Sequence, residues 1–520
     1  MYLSSRLLPA TALPLLFASS LAFADSNVKL DAGSGNKIEI RCQGSCTPAQ
    51  LAALANNISF APGSSDNHVQ IRTQADAGTQ APIQVSGTKN QVQINQQKGT
   101  NNSTAPIQVG GSNNRVEIQQ KGSNNSTQPI VDIGNKTRVQ VQQQGNGNSA
   151  SAVDSGGTHN QIQVQQKGND NQAASAQLVG DNNRAQIKQQ GSQNVAATNQ
   201  AGGSDNLDRI QQKGVANVAG ASQEGGSHNQ VQTQQQGAQN FSVATQQGGS
   251  RDQSKTEQKG IGNLAVTAQK DGTRNEVQTQ QKGVANVAGA SQEGGSRNQV
   301  QTQQQGAQNS SVATQQGGSR NEVQTQQKGV ANAVTATQAG GSRDQIRTQQ
   351  QGLQNTVDAI QQGGSRDQSR TEQKGALNTA VSSQFGGVHN QNQTQQKGVD
   401  NLAVNRQIGG ARNENKAEQK GALNTAVSSQ FGGVHNQNQA RQKGVDNLTV
   451  NRQIGGAHNE NKAEQKGALN TAVSWQFGGA HNQNQTQQRG VGNLAVARRF
   501  GGDYNDNVVR QRGFGRISIR

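Results

Sequence analysis

Apolar residues make up only 29% of this 520-residue chain and aromatics 2%, with a single tryptophan and two tyrosines. So little Leu, Ile, Val and Phe excludes a row of ordinary globular domains, and by composition alone it makes disorder the default. Cysteine is nearly absent. Cys42 and Cys46 are too few for a disulfide scaffold; they could pair with each other in an oxidising compartment or stay idle, and a metal site would need partners, of which His68 is the nearest histidine. Proline is scarce and confined: all seven lie at or before Pro129 and none follows. Acidic residues are outnumbered, 31 against 47 basic ones, giving a formal charge of +16. No Ser/His/Asp set or carboxylate pair stands apart from the background, so no enzymatic role, metal or cofactor is expected.

What is present begins with a leader. Arg6 opens a short basic start, Leu7 to Phe23 is apolar and interrupted by Pro9 and Pro14, and the run ends in Ala22-Phe23-Ala24. This reads as a secretory signal peptide over residues 1–24, cleaved before Asp25. Its apolar core is short for a membrane span and nothing later resembles one. Export without an integral membrane segment is therefore expected.

The rest is a repeat. Stepping by 23 from Gly99 lands on glycine at every stop, through Gly168 and Gly283 to Gly513. A Gln stands two residues before each of these glycines (Gln166, Gln212, Gln281, Gln396), and an Asn three residues after all but the last (Asn171, Asn217, Asn286, Asn401). The second half of each period echoes the first, with a returning Gln (Gln177, Gln223, Gln292, Gln407). It is usually followed by a Gly pair such as Gly225-Gly226 or Gly386-Gly387, then by Asn or Asp, as at Asn160, Asp252 and Asn436.

That unit has a physical reading. In Asn160-Gln161-Ile162-Gln163-Val164-Gln165-Gln166 the alternate residues Asn160, Ile162, Val164 and Gln166 share one face, the signature of a half-buried strand. Asn217, Ala219, Ala221 and Gln223 do the same in the return run, where small residues let two sheets approach. Two strands of about six residues and two glycine turns make one rung. The expectation is an all-β, two-sheet β-solenoid of strand-turn-strand rungs with a 23-residue period over 90–520. Because the period never slips, each Gln and Asn lies over its counterpart, and amides carry both donors and acceptors for axial ladders. Proline cannot donate to such a ladder, which accounts for its exclusion. Residues 25–89 are looser: Asn36–Ile40 and Asn67–Ile71 look like isolated strands, and Asp76 fills a glycine slot.

Asn160, Gln166, Gly168, Asn171, Ala173 and Gln177 match the spacing of the curlin repeat, Ser-x5-Gln-x-Gly-x-Gly-Asn-x-Ala-x3-Gln, with Asn in the Ser slot. The second glycine of that pattern survives at Gly147, Gly262 and Gly492. The chain resembles the curli family of functional amyloids from about Asn90 to Gly513. The resemblance implies a secreted structural subunit that self-associates into cell-surface fibres for adhesion and biofilm matrix. It also implies passage through an outer-membrane pore of a Gram-negative cell, growth from a nucleator subunit, and stacking by the Gln and Asn ladders. By the same resemblance 25–89 addresses the chain to its pore; a solenoid cap is the other reading.

Charge is patterned too. Lys or Arg often precedes the turn glycine (Lys98, Lys167, Lys259, Arg489), and a second basic column runs through Arg251, Arg297, Arg343 and Arg412, with His389, His435, His458 and His481 in the same slot. Such stripes either attract extracellular DNA or acidic polysaccharide or keep the turns soluble and unsticky. Two rivals to the fibre subunit stand beside it: a monomeric β-solenoid adhesin, and a minor or nucleating subunit, the latter suggested by the basic end from Arg498 to Arg520.

Overall fold

The computed structural model describes residues 23–519 except 75–78, 98, 341, 364, 367, 387, 390, 410, 413, 433, 436 and 505. Residues 1–22 of the expected signal peptide therefore lie outside the described residues, as do Asp76, Lys98, Gly387, Asn436 and Arg520. The described chain divides into two compact units, the first running to Ile261 and the second starting at Gly262. Each is a two-sheet parallel β-solenoid with the 23-residue period.

In the first unit, β1 (Phe23–Asp31) lies antiparallel on β2 (Lys37–Cys46), with Val28 opposite Ile40 and Leu30 opposite Ile38. The bonded pair Cys42 and Cys46 closes the end of β2. Helix α1 (Pro48–Asn56) follows, started by Thr47, whose side chain accepts from the Gln50 backbone while Gln50 reaches back to the Thr47 N–H. The two early strands do not stand isolated as the sequence suggests. β2 pairs in parallel with the strand His68–Gln74 (Ile38 with Val69, Ile40 with Ile71), and that strand pairs with Gln91–Gln97 (Val69 with Val92). The missing signal was the 31-residue step from Asn36 to Asn67, which differs from the later 23.

From there the pattern is strict. Gln161–Asn169 and Gln172–Leu178 form one rung, and their residues pair with those 23 later: Ile162 with Ala185, Gln166 with Gln189, Ala173 with Ala196, Gln177 with Gln200. The strands are longer than about six residues, nine in the outgoing run and seven in the return. The outgoing strand continues through the Gln-x-Gly segment, where Gly168 pairs with Gly191. A Cβ on Gly168 would collide with the Gly191 carbonyl oxygen, so glycine is needed there for backbone approach as well as for its positive φ.

The core follows from alternation. Ile162, Val164, Ile187 and Ile210 are fully buried on the outgoing sheet, against Ala150, Ala152 and Ala196 on the return sheet. In the second unit the same stacking holds, Val300 with Val323 and Ala403 with Ala426. There the interior turns polar towards higher residue numbers: Asn415, Asn438, Asn461 and Asn484 take buried outgoing positions.

Candidate assembly site: the side-chain ladders

In the regular rungs alternation aims one Gln of the outgoing strand and, in most, one of the return strand inward, at the two edges of the core. Gln166 Nε2 donates to Gln189 Oε1 of the next rung at 2.9 Å, and to the carbonyls of Asn171 (2.9 Å) and Ser149 (2.8 Å). Gln189 and Gln212 repeat this, Gln212 reaching Gln235 at 2.9 Å. On the return sheet Gln177 donates to Gln200 at 2.7 Å, Gln200 to Gln223 at 2.9 Å and Gln223 to Gln246 at 2.9 Å. In the second unit Gln292 donates to Gln315 at 2.7 Å, Gln396 to Gln419 at 2.8 Å and Gln407 to Gln430 at 3.2 Å. Gln281 donates instead to the Leu264 carbonyl at 2.7 Å, and Gln304 Oε1 has no donor, so that step of the ladder is not made.

The Asn column works differently because its shorter side chain stays near its own corner. Asn171 Nδ2 donates to Asn148 Oδ1 of the previous rung and to the Gly191 carbonyl of the next strand, both at 2.9 Å. Its backbone N–H also donates to Asn148 Oδ1, at 3.2 Å. Asn217, Asn286 and Asn401 make the same axial bonds to Asn194 (3.0 Å), Asn263 (2.9 Å) and Asn378 (2.8 Å). All these residues are at most 3% exposed, so each closed bond removes a buried polar group that would cost about 1–3 kcal/mol unsatisfied.

Three features were not read from the sequence. The second basic column sits in left-handed backbone: Arg251 has φ 61°, Arg297 59° and His435 58°. Each is pinned by its N–H, which donates to the previous rung, Arg251 to Ser227 at 3.1 Å and Arg297 to Thr273 at 2.9 Å. His435, His458 and His481 stack in succession with ring centroids 4.4 Å apart, and Tyr504 continues the stack at 4.5 Å. The slot's mix of Arg, His, Asn and Asp residues was the available signal, since Asn and Asp tolerate such φ values.

The third is a set of buried carboxylates. Asp132 and Asp154 stand in the return Gln column, paired rung to rung, with Asp154 beside Gln177. Burial is the main cause lifting Asp132 to about 6 and Asp154 to about 7, the charge of Asp132 adding to the second. Asp208 replaces an aliphatic residue between Ala185 and Val231. It is fully buried with neither oxygen bonded, and burial pushes its carboxyl far above the usual range.

Fold and site together define a repeat β-solenoid whose interior is closed by amide ladders. Residues 157–191, which hold one complete rung and most of the next outgoing strand, match the family model of the curlin associated repeat, which supports reading the chain as a curlin-repeat protein. No curated protein matches it. Curlin repeats are structural rather than catalytic, and no helix among the described residues is long and apolar enough to cross a membrane.

Proposed function

We propose that the chain is a subunit of curli-like extracellular fibres, polymerising end to end and serving adhesion and biofilm matrix. The observation that carries this is the translational identity of rungs within each unit. Most rungs offer their neighbour the same backbone edge and the same Gln and Asn groups, and a second copy can supply the complement as well as the same chain can. The signal peptide over 1–24 accounts for secretion, the outer-membrane pore and nucleator subunit are its partners, and residues 25–89 address it to the pore. The basic columns give the fibre a polyanion-facing surface for DNA or acidic polysaccharide.

Electron microscopy of the purified mature chain, with dye binding over time and diffraction from aligned material, tests this. Fibres with reflections near about 4.8 and 10 Å are expected. Soluble monomers persisting for days at high concentration would overturn it.

One observation favours the monomeric adhesin as a second reading. β1 runs antiparallel along β2 and α1 follows directly, which is how solenoids blunt an end against pairing. If that cap governs assembly, removing residues 25–36 should speed polymerisation of a fibre subunit, and should leave an adhesin monomeric.

A further inference from the structure

The return sheet of the second unit changes character between residues 379 and 500. The chain has nine Phe, one Trp and two Tyr, and five of these (Phe385, Phe431, Trp475, Phe477 and Phe500) lie on the outer face of this one sheet. Val fills one outward column at every rung from Val381 to Val496. Meanwhile the interior of the facing strands carries Asn415, Asn438, Asn461 and Asn484. These rungs place their apolar bulk outside and amides inside, the reverse of Ile162 and Val164 in the first unit. A contiguous apolar face on so polar a chain marks an interaction surface.

The relief of that face points to its occupant. Beside the Val column, Thr379, Leu402, Thr425 and Leu448 alternate small with large; on the other side Ser383, Arg406, Ser429 and Arg452 alternate in the same phase. Over these two columns the rungs therefore form ridges and furrows with a two-rung period, about 9.6 Å, while the strand-end column alternates Phe385, Ile408, Phe431 and Ile454 in the opposite phase. Trp475 departs from this alternation. We propose that a second copy of this chain docks here, offset by one rung, so that Leu and Arg ridges of each copy enter Thr and Ser furrows of the other.

The charge pattern suits that offset. The face carries Arg406, Arg452 and Arg498, and a one-rung shift sets Arg rungs opposite Ser rungs, never opposite each other. Within the chain Arg406 and Arg452 already flank the Phe431 ring at 5.6 Å each, and Arg498 lies 4.8 Å from the Trp475 ring. A docked copy can extend these cation–π contacts across the interface. Six rungs by seven residues cover roughly 650 Å² per copy, so about 1,300 Å² in all, above the ~1,000 Å² expected of a specific contact. This concerns the side of the stack and stands whether or not the ends polymerise.

Trp475, the one tryptophan, sits in the face and reports on it. For the full mature chain, sedimentation across a concentration series should show dimers, with Trp475 emission shifting to the blue in step. Val427→Lys should weaken dimerisation roughly tenfold or more. Ser429→Arg should do the same by filling a furrow, and it keeps the fold because neighbouring rungs already carry Arg there. Circular dichroism should be unchanged in both. End-to-end growth is separable, since it gives species beyond dimers that ignore both substitutions. A chain that stays monomeric, dimers that survive both changes, or a blue shift that needs lipid vesicles would overturn the proposal.

Discussion

Gln166 and Asn171, bonded to each other within one rung by a 2.9 Å contact from the Gln166 amide to the Asn171 carbonyl, pass their axial hydrogen bonds in opposite directions. Gln166 donates forward to Gln189, and Asn171 donates back to Asn148. The Gln and Asn columns thus carry opposed rows of amide dipoles, so neither row adds to the other along the stack. Chains of like-oriented amides strengthen one another, so each column gains along its own row; the return-sheet Gln column, Gln177 to Gln200, runs forward like that of Gln166.

The Asn column is the more connected, and its loss should cost more. Asn217 makes two bonds to Asn194 Oδ1 and one to the Gly237 carbonyl, and its own Oδ1 accepts from the Asn240 N–H at 3.2 Å and the Asn240 amide at 2.9 Å. Asn217→Ala strands the Asn240 N–H and the Gly237 carbonyl in a buried corner. The expected cost is about 3 kcal/mol or more, read from urea unfolding. Hydrogen exchange should show the damage confined to the adjoining rungs, because each rung touches only its neighbours. A loss below about 0.5 kcal/mol would mean the ladder contributes little.

Leu377, Leu423 and Leu469 hold left-handed backbone near φ 56° at the other corner, and Leu377 is about half exposed. A side chain there costs roughly 1–2 kcal/mol and recovers little by burial. Leu377→Gly should therefore raise stability by about 1 kcal/mol, and Leu377→Val should lower it. Thermal melts of the two variants should move in opposite directions; two downward shifts would contradict the strain argument.

The repeat was legible because its unit is local. A Gln two before a glycine and an Asn three after it, held at step 23, suffice to put Gln166 over Gln189 and Asn171 over Asn194. What escaped the sequence lay where translation fails or where environment decides. β1 antiparallel on β2 breaks the parallel rule, and the step from Asn36 to Asn67 hides the first rung. Asp132, Asp154 and Asp208 are acids in a core otherwise closed by amides and small apolar residues, and only the packing around them decides their protonation. The outward Val column from Val381 alternates as a core column would, and only the depth of the two faces distinguishes them.

Proline marks the irregular rungs of the first unit. Pro106 falls between the short pairs Ser103–Thr104 and Ile107–Val109, and at Pro129 the pairing shifts register between Thr127 and Ile130. Neither residue can donate to the ladder. Pro106→Val with Pro129→Val should restore continuous pairing and shorten the lag before assembly, if these rungs are kept imperfect to delay it. An unchanged lag in a dye-binding time course would refute that role.

Acid should stabilise the first unit. The folded-state values of Asp132 and Asp154, about 6 and about 7, lie above the 3.8 of an unfolded aspartate, so the folded chain holds protons that the unfolded chain releases. Their favourable contribution is complete below about pH 3.8, declines as pH rises through 6 and 7, and is gone above that. In the second unit, burial, Arg412 and His458 together lower the His435 imidazole, so its contribution runs the other way and is lost as pH falls through its range. Asp154→Asn should raise first-unit stability at about pH 8 by on the order of 3 kcal/mol and change little at about pH 4. Unfolding midpoints at the two pH values give the comparison directly. An equal effect at both would show that Asp154 is not held protonated by the fold, and would place the acid sensitivity of this unit elsewhere.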